Sequence, residues 1–206
     1  MPHPIMEKVL QKIIKGYQIF REKYASGNSS IMYNLYREGQ QPAILVIACC
    51  DARVDPALML QCDPGDLFVV RNVANIVPPY EKDTAHHGTS AALEFGICVL
   101  QVQHLIILGH SQCGGIKAFL SKKESKQDDF ITNWLALLPA LPSLPCSSDA
   151  YAKLSLNQSY ANCLTFPWIQ ERVLKQQLTI HRWFFDIPTG SIYTYHAVQD
   201  AYVPLA

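Results

Sequence analysis

Apolar residues at Met6, Val9, Leu10, Ile13, Ile14 and Tyr17 recur at helical spacing and predict an amphipathic helix at the start of the chain. The turn cluster Ser26-Gly27-Asn28-Ser29 ends it. The pattern then changes. Ala43 to Ala48 is a short, wholly apolar, β-branched run, as expected of a strand buried on both faces. Pro64-Gly65 marks a turn, and Leu67 to Val70 reads as a second strand. Gly88 to Leu100, opened by Thr89-Ser90, reads as a helix. His104 to Leu108 is a third buried strand, and Gly114 to Leu120 is helical again. Apolar strands alternating with helices predict an α/β fold with a mostly parallel central sheet covered by helices.

Beyond Leu120 the signals are of another kind. Residues 122–126 are charged and read as exposed, and Pro139, Pro142 and Pro145 break a Leu-rich stretch into a helix end and a loop. A helix is expected from Tyr160 to Gln176, with Pro167 near its start or kinking it. Leu178 to Phe185 and Ser191 to His196 flank Pro188-Thr189-Gly190, a hairpin pattern at the sheet edge. These segments read as a single domain, 1–206, with an N-terminal helical arm (1–30), a core (40–120), and C-terminal helices and edge strands (121–206).

A chain of 206 residues, 49% hydrophobic and 17% charged, can bury a sizeable core. Lys plus Arg and Asp plus Glu number 17 each, and no basic stripe appears, so nucleic-acid binding is set aside. The apolar runs are too short for a bilayer and the first residues carry no secretory h-region, so the expected location is cytoplasmic, without a membrane partner. Seven unevenly placed cysteines do not make a disulfide framework. Cys62, Cys98 and Cys163 are expected as small core residues.

The candidate chemistry lies at two strand ends. Cys49-Cys50-Asp51-Ala52-Arg53 leaves the first strand, and His110-Ser-Gln-Cys113-Gly-Gly115 leaves the third. In an open parallel sheet, ligands gather beyond the carboxyl ends of the strands. Zinc favours thiolate and imidazole, and a catalytic site supplies three protein ligands and leaves the fourth position for water. Cys49, His110 and Cys113 are the candidate ligands, with Gly114-Gly115 letting the backbone fold closely round the ion. Strand alternation turns Cys50 the other way, where it is expected buried and metal-free. Asp51 and Arg53, two apart, can pair, the guanidinium fork holding the carboxylate ionised and oriented. By itself this pair is equally an ordinary loop-stabilising ion pair.

Cys49-x-Asp51-x-Arg53 followed by His110-x-x-Cys113 resembles the zinc signature of the β-class carbonic anhydrases. The resemblance extends through Pro64 to Asn75, Val77 to Tyr80, Ala91 to Phe95 and Gly109 to Lys117, tightly from about Gln40 to Leu120. It implies one zinc per subunit, reversible hydration of carbon dioxide to bicarbonate by a zinc-held hydroxide, and a homodimer or homotetramer with the N-terminal helix laid on a neighbour. Asp51 and Arg53 become the dyad beside the metal. Gln40, Phe68, Val73, Phe95 and Gly114 fall where the plant-like branch lines the substrate cleft, Gln40 as a hydrogen-bond donor. Phe95 stands where that branch often has Tyr, and Ala52 replaces the usual Ser of the dyad loop; each removes a hydroxyl. Another branch carries a regulatory bicarbonate pocket built on a Trp three residues before the first zinc Cys; here that position is Val46, although Arg71 remains. His86 and His87 have the pKa range of proton shuttles but read first as loop residues. Two rival readings share the site: a carbon disulfide or carbonyl sulfide hydrolase, and a non-catalytic zinc or thiol module, for which three ligands are one too few.

Overall fold

The computed structural model describes residues 4–83, 85–121 and 130–206, and the charged stretch 122–126 lies outside them. The chain divides into two compact units, Met1–Gln41 with Asp63–Gly65, and Pro42–Cys62 with Asp66–Ala206.

In the first unit, α1 (Pro4–Tyr24) follows the predicted apolar stripe and α2 (Ile31–Glu38) follows the turn. No helix was expected at α2; it is short, has no buried residue and lacks a long apolar period. Ser30 caps it by accepting the Tyr33 N–H at 3.2 Å, and Gly39 closes it at φ +78°. Val9, Leu10, Ile13, Ile14, Tyr17 and Phe20 of α1 are all exposed. Gly65, at φ +101°, holds a backbone conformation that other residues rarely adopt, and a Cβ there would also press on Leu35 Cδ2 at 2.8 Å.

The second unit holds the sheet. Its elements are β1 (Ile44–Cys49), α3 (Pro56–Met59), β2 (Leu67–Asn72), a 3₁₀ turn (Val73–Asn75), α4 (Gly88–Glu94) running into a π-helical turn (Phe95–Val99), β3 (His104–His110) and α5 (Gly114–Leu120). Then come α6 (Phe130–Leu135), α7 (Ser148–Cys163), α8 (Pro167–Leu174), β4 (Thr179–Asp186), β5 (Ser191–His196) and β6 (Ala201–Pro204). The strand order is β2-β1-β3-β4-β5-β6, parallel as far as β4 and antiparallel beyond it. The mostly parallel sheet flanked by helices is as expected.

Both faces of the central strands are apolar. Leu45, Ile47, Leu105 and Ile107 join Leu93, Ile97, Leu156 and Phe166 in one core, while Val46, Ala48, Ile106 and Leu108 are buried on the other face. This double burial explains the uninterrupted apolar runs.

Several local expectations need correction. The helix from Tyr160 to Gln176 is two: α7 ends at Cys163, and Pro167 occupies the first turn of α8, where its missing N–H costs nothing. Most of α7 was unforeseen, because its buried face includes Ser155, Ser159 and Asn162. Their polarity is satisfied: Ser159 Oγ accepts the Val77 N–H and Asn162 Nδ2 donates to the Val77 carbonyl across the fold, while Ser155 Oγ donates to the Ala152 carbonyl within the helix. Thr89-Ser90 does not cap α4; its N-cap is His87, and Thr89 Oγ1 accepts from Asn72 Nδ2. Cys163 is buried, but Cys62 is half-buried and Cys98 is exposed on the π-helical turn.

Candidate active site

Parallel pairing of β1 with β3 sets their carboxyl ends side by side. Cys49 is the last residue of β1 and His110 the last of β3, and Cys113 is the N-cap of α5. All three are buried, and their ligand atoms lie within 4.8 Å of one another. Cys49 Sγ and Cys113 Sγ are 3.9 Å apart. Two thiolates on one tetrahedral zinc, each at about 2.3 Å, would stand about 3.8 Å apart.

His110 supplies the sharper test. Its Nδ1 lies 2.9 Å from the Ser111 carbonyl oxygen, which can only accept, so Nδ1 carries the hydrogen and Nε2 the free lone pair. Nε2 is buried without a hydrogen-bond partner. An orphaned imidazole lone pair facing two sulfurs is what a cation satisfies.

The sulfurs are electrostatically coupled. The hydrogen bond from the Cys113 thiol, with the backbone N–H groups of Asp51 and Ala74 working against burial, holds Cys49 well below the ordinary thiol range. That same hydrogen bond, with burial, pushes Cys113 well above the ordinary thiol range. The pair thus holds one negative charge readily and a second only with a positive charge between them, which is the role of a metal.

Asp51 and Arg53 meet in a two-pronged ion pair, Arg53 Nε donating to Oδ1 at 2.8 Å and Nη2 to Oδ2 at 2.6 Å. The Arg53 backbone N–H adds a third bond to Oδ1 at 3.0 Å. Arg53 thereby holds the Asp51 carboxyl far below the usual carboxylate range. Asp51 Oδ2 also lies 3.9 Å from His110 Nε2, so the carboxylate faces the ligand cluster.

Arg71 anchors the loop that carries these residues. Its Nε donates to the Cys49 carbonyl, Nη2 to the Asp51 carbonyl and Nη1 to Asp55 Oδ2. Asp55 in turn caps α3 by accepting the Leu58 N–H.

Of the other residues singled out, Phe68 and Phe95 stack with ring centroids 5.8 Å apart, and Phe95 is 43% exposed. Val73 opens the 3₁₀ turn that also carries Ala74. The close approach belongs to Gly115, where a Cβ would fall 2.7 Å from Val73 Cγ1, and not to Gly114, whose Cβ would meet nothing within 4 Å. Gln40 is exposed and belongs to the N-terminal unit. Cys50 is exposed, a correction: β1 ends at Cys49, so strand alternation no longer governs the next side chain. His87 bonds Asp83 through Nε2 at 2.7 Å. Residues not singled out from the sequence complete the surroundings: Trp134 Nε1 donates to the Val73 carbonyl, and Gln112 and Asp149 meet beside Arg53.

The comparisons with known proteins agree with this chemistry. A family profile described as carbonic anhydrase matches residues 44–192. The chain is 35% identical over 195 residues to beta carbonic anhydrase 3 of Arabidopsis thaliana, covering 88% of this chain and 75% of that protein. It is 35% identical over 208 residues to a carbonic anhydrase of Synechocystis, covering 94% and 74%. Among solved structures, the β-carbonic anhydrase CcaA superposes with a TM-score of 0.85 at 32% identity, over 97% of this chain and 93% of that one. A tetrameric β-carbonic anhydrase of Sordaria macrospora gives 0.73 at 27% identity, over 93% and 97%. Among the described residues, no helix is long and apolar enough to cross a membrane. With a Cys-His-Cys cluster and an arginine-held aspartate at the ends of parallel strands, and with these relatives, the chain belongs to the β-class carbonic anhydrases and is a carbonate dehydratase, a lyase.

Proposed function

We propose that Cys49, His110 and Cys113 hold one zinc ion per subunit, that the protein uses it to interconvert carbon dioxide and bicarbonate, and that it belongs to the plant-like branch. The observation that carries the assignment is the buried, unpartnered Nε2 of His110 beside two sulfurs at a zinc-like spacing. When bound, zinc supplies a Lewis acid that makes hydroxide available from water near neutral pH; the three-histidine carbonic anhydrases, with a water pKa of about 7, set the scale. Three protein ligands leave a fourth position open, unlike a structural zinc site.

The chain's own residues do the rest. Asp51, kept ionised by Arg53, accepts a hydrogen bond from water at the site and holds it in one orientation. Its strongly lowered pKa makes it an acceptor at working pH rather than a proton store. Phe68, Val73, Phe95 and Gly114 are assigned to the cleft for carbon dioxide; the stacked rings give that cleft an apolar wall. The exposed stripe on α1 supports assembly as a dimer or tetramer, since so many large apolar side chains on one helix need covering. The Sordaria relative is itself tetrameric.

The test pairs zinc content with stopped-flow hydration of carbon dioxide. Cys113→Ala loses most of the metal and nearly all activity, whereas Cys50→Ala keeps both. Full zinc occupancy in Cys113→Ala would sink the ligand assignment, and a zinc-loaded wild type that does not hydrate carbon dioxide would sink the reaction.

A further inference from the structure

The four residues from His110 to Cys113 carry two of the three metal ligands, and between them Gln112 adopts φ +56°, the left-handed region that non-glycine residues avoid. Something must hold it there. Ser111 is tied to β4: its N–H donates to the Phe185 carbonyl at 2.9 Å, and its Oγ accepts the Ile187 N–H at 2.8 Å. Gln112 is gripped on both sides. Its backbone N–H donates to Asp149 Oδ1 at 2.7 Å, and its carbonyl accepts from Arg53 Nη2 at 3.2 Å. Its side-chain Oε1 accepts from Lys117 Nζ at 2.5 Å, and its Nε2 lies 3.5 Å from Asp149 Oδ1. Asp149 sits in the first turn of α7, partly buried, with Ser148 Oγ also donating to Oδ1 at 3.3 Å.

We propose that Asp149 is a positioning residue of the active site: by accepting the Gln112 N–H it holds the left-handed turn that sets His110 and Cys113 on one metal and presents the Gln112 carbonyl to Arg53. The proposal rests on the zinc reading above. Asp149 touches neither metal ligand nor dyad. It acts through one peptide, whose strained conformation would otherwise relax and carry Cys113 and the second anchor of Arg53 with it. The carboxylate is suited to the task because a charged acceptor makes a shorter and stronger bond to an N–H than a neutral one does. Its place on a sixteen-residue helix packed against β3 and β4 makes it a rigid post.

The test uses Asp149→Ala and Asp149→Asn in the full-length holoenzyme. Three readouts are taken: zinc release into excess chelator, the thiolate-to-metal charge-transfer and d–d bands of the cobalt(II)-substituted protein, and kcat for hydration. Asp149→Ala should release zinc about tenfold faster or more, the usual scale for a partner that orients metal ligands. Its cobalt spectrum should change and its kcat fall. Asp149→Asn keeps an acceptor oxygen at the same reach and should stay within about threefold of wild type in all three.

A purely helix-stabilising carboxylate would give the other pattern. Both variants would melt lower by the same amount, and zinc release and the cobalt bands would be unmoved; that result overturns the proposal. If Asp149→Ala does not fold, Asp149→Ser, whose short hydroxyl does not reach the Gln112 N–H, takes its place: zinc release about tenfold faster than in Asp149→Asn upholds the acceptor role, and equal release in the two overturns it. A wild-type protein that takes up no zinc would overturn the zinc reading itself, an outcome distinct from either.

Discussion

Gly114 and Gly115 are neighbours in the first turn of α5, yet substitution by Ala should act on them in opposite ways. In each, Ala removes backbone freedom from the unfolded chain and improves helix propensity, a gain of up to about 1 kcal/mol. At Gly114 the new Cβ meets nothing within 4 Å. At Gly115 it meets Val73 Cγ1 at 2.7 Å and Ala74 Cβ at 3.2 Å, with the Ala74 backbone nitrogen at 3.5 Å. Overpacking of this kind costs roughly 1–3 kcal/mol. The propensity gain is common to both variants, so the difference between them isolates the overlap. For a chain of this size it amounts to roughly 2–12 °C in melting temperature. The strain falls on the turn whose Ala74 N–H supports the Cys49 sulfur, so Gly115→Ala should also release zinc faster. Adding Val73→Ala to Gly115→Ala removes the 2.7 Å contact and should recover part of the loss. The assay is a thermal melt of the zinc-loaded proteins at one fixed protein concentration. Equal melting temperatures for Gly114→Ala and Gly115→Ala would refute the packing argument.

Arg53→Ala should lower kcat by roughly tenfold or more while zinc content holds, since Arg53 orients the carboxylate and touches no ligand atom; an unchanged rate would make the pair merely structural. Ala52→Ser should fold, bind zinc and match or exceed wild-type activity, and a large loss would mean that the dyad loop has no room for the hydroxyl. Bicarbonate should inhibit hydration at neutral pH only as a product, without cooperativity, because Arg71 is already engaged; a crystal structure with bicarbonate at Arg71 and Asp51 on zinc would contradict this. Burial, and then His104 beside it, hold His181 below its ordinary pKa, so the unfolded chain takes up that proton first as pH falls. That contribution to stability is complete above about 6.5 and is lost below it, so His181→Gln should shrink the drop in melting temperature between about pH 7.5 and 5.5. An equal drop in both proteins would remove His181 from the account.

The parts of the fold legible in the sequence are those in which a single residue type dominates. Leu45 to Ala48 and Leu105 to Leu108 are apolar on both faces because both faces are buried, and their strands came out within two residues of expectation. The hairpin of β4 and β5 was legible from Pro188-Thr189-Gly190 between two β-rich runs. By contrast, α7 hides its inward face behind Ser155, Ser159 and Asn162; Ser155 Oγ donates one turn back to Ala152, but the partners of Ser159 and Asn162 lie on the Val77 backbone about eighty residues away. No periodicity in a local window can reveal a buried polar face satisfied from so far off. The split at Pro167 is a similar case. Proline fits both a kink and a first turn, and the choice was made by Phe166, which is buried in the core and starts a new helix.

The candidate site divides along the same line. The Cys49-His110-Cys113 cluster and the Asp51–Arg53 pair are legible because zinc and carboxylate chemistry admit few residue types, and strand ends bring them together. The residues that hold those groups in place are ordinary ones whose role is set by what they reach. Gln112 has no chemistry of its own but lies at φ +56° between Arg53 and Asp149. Arg71 is the instructive case. In the sequence it reads equally as an anion-binding residue, and only its contacts decide. Each of its three nitrogens already donates, to the Cys49 carbonyl, the Asp51 carbonyl and Asp55. An anion arriving there would have to displace the Asp55 carboxylate or share the guanidinium with it, and Val46 offers no donor in compensation. A ligand shifts a conformational equilibrium only by its differential affinity for the two states, and an arginine already committed to the open loop gives bicarbonate little with which to favour a closed one. Two of the same three bonds fix the carbonyls on either side of Cys50, and so hold the loop that carries Cys49 and Asp51.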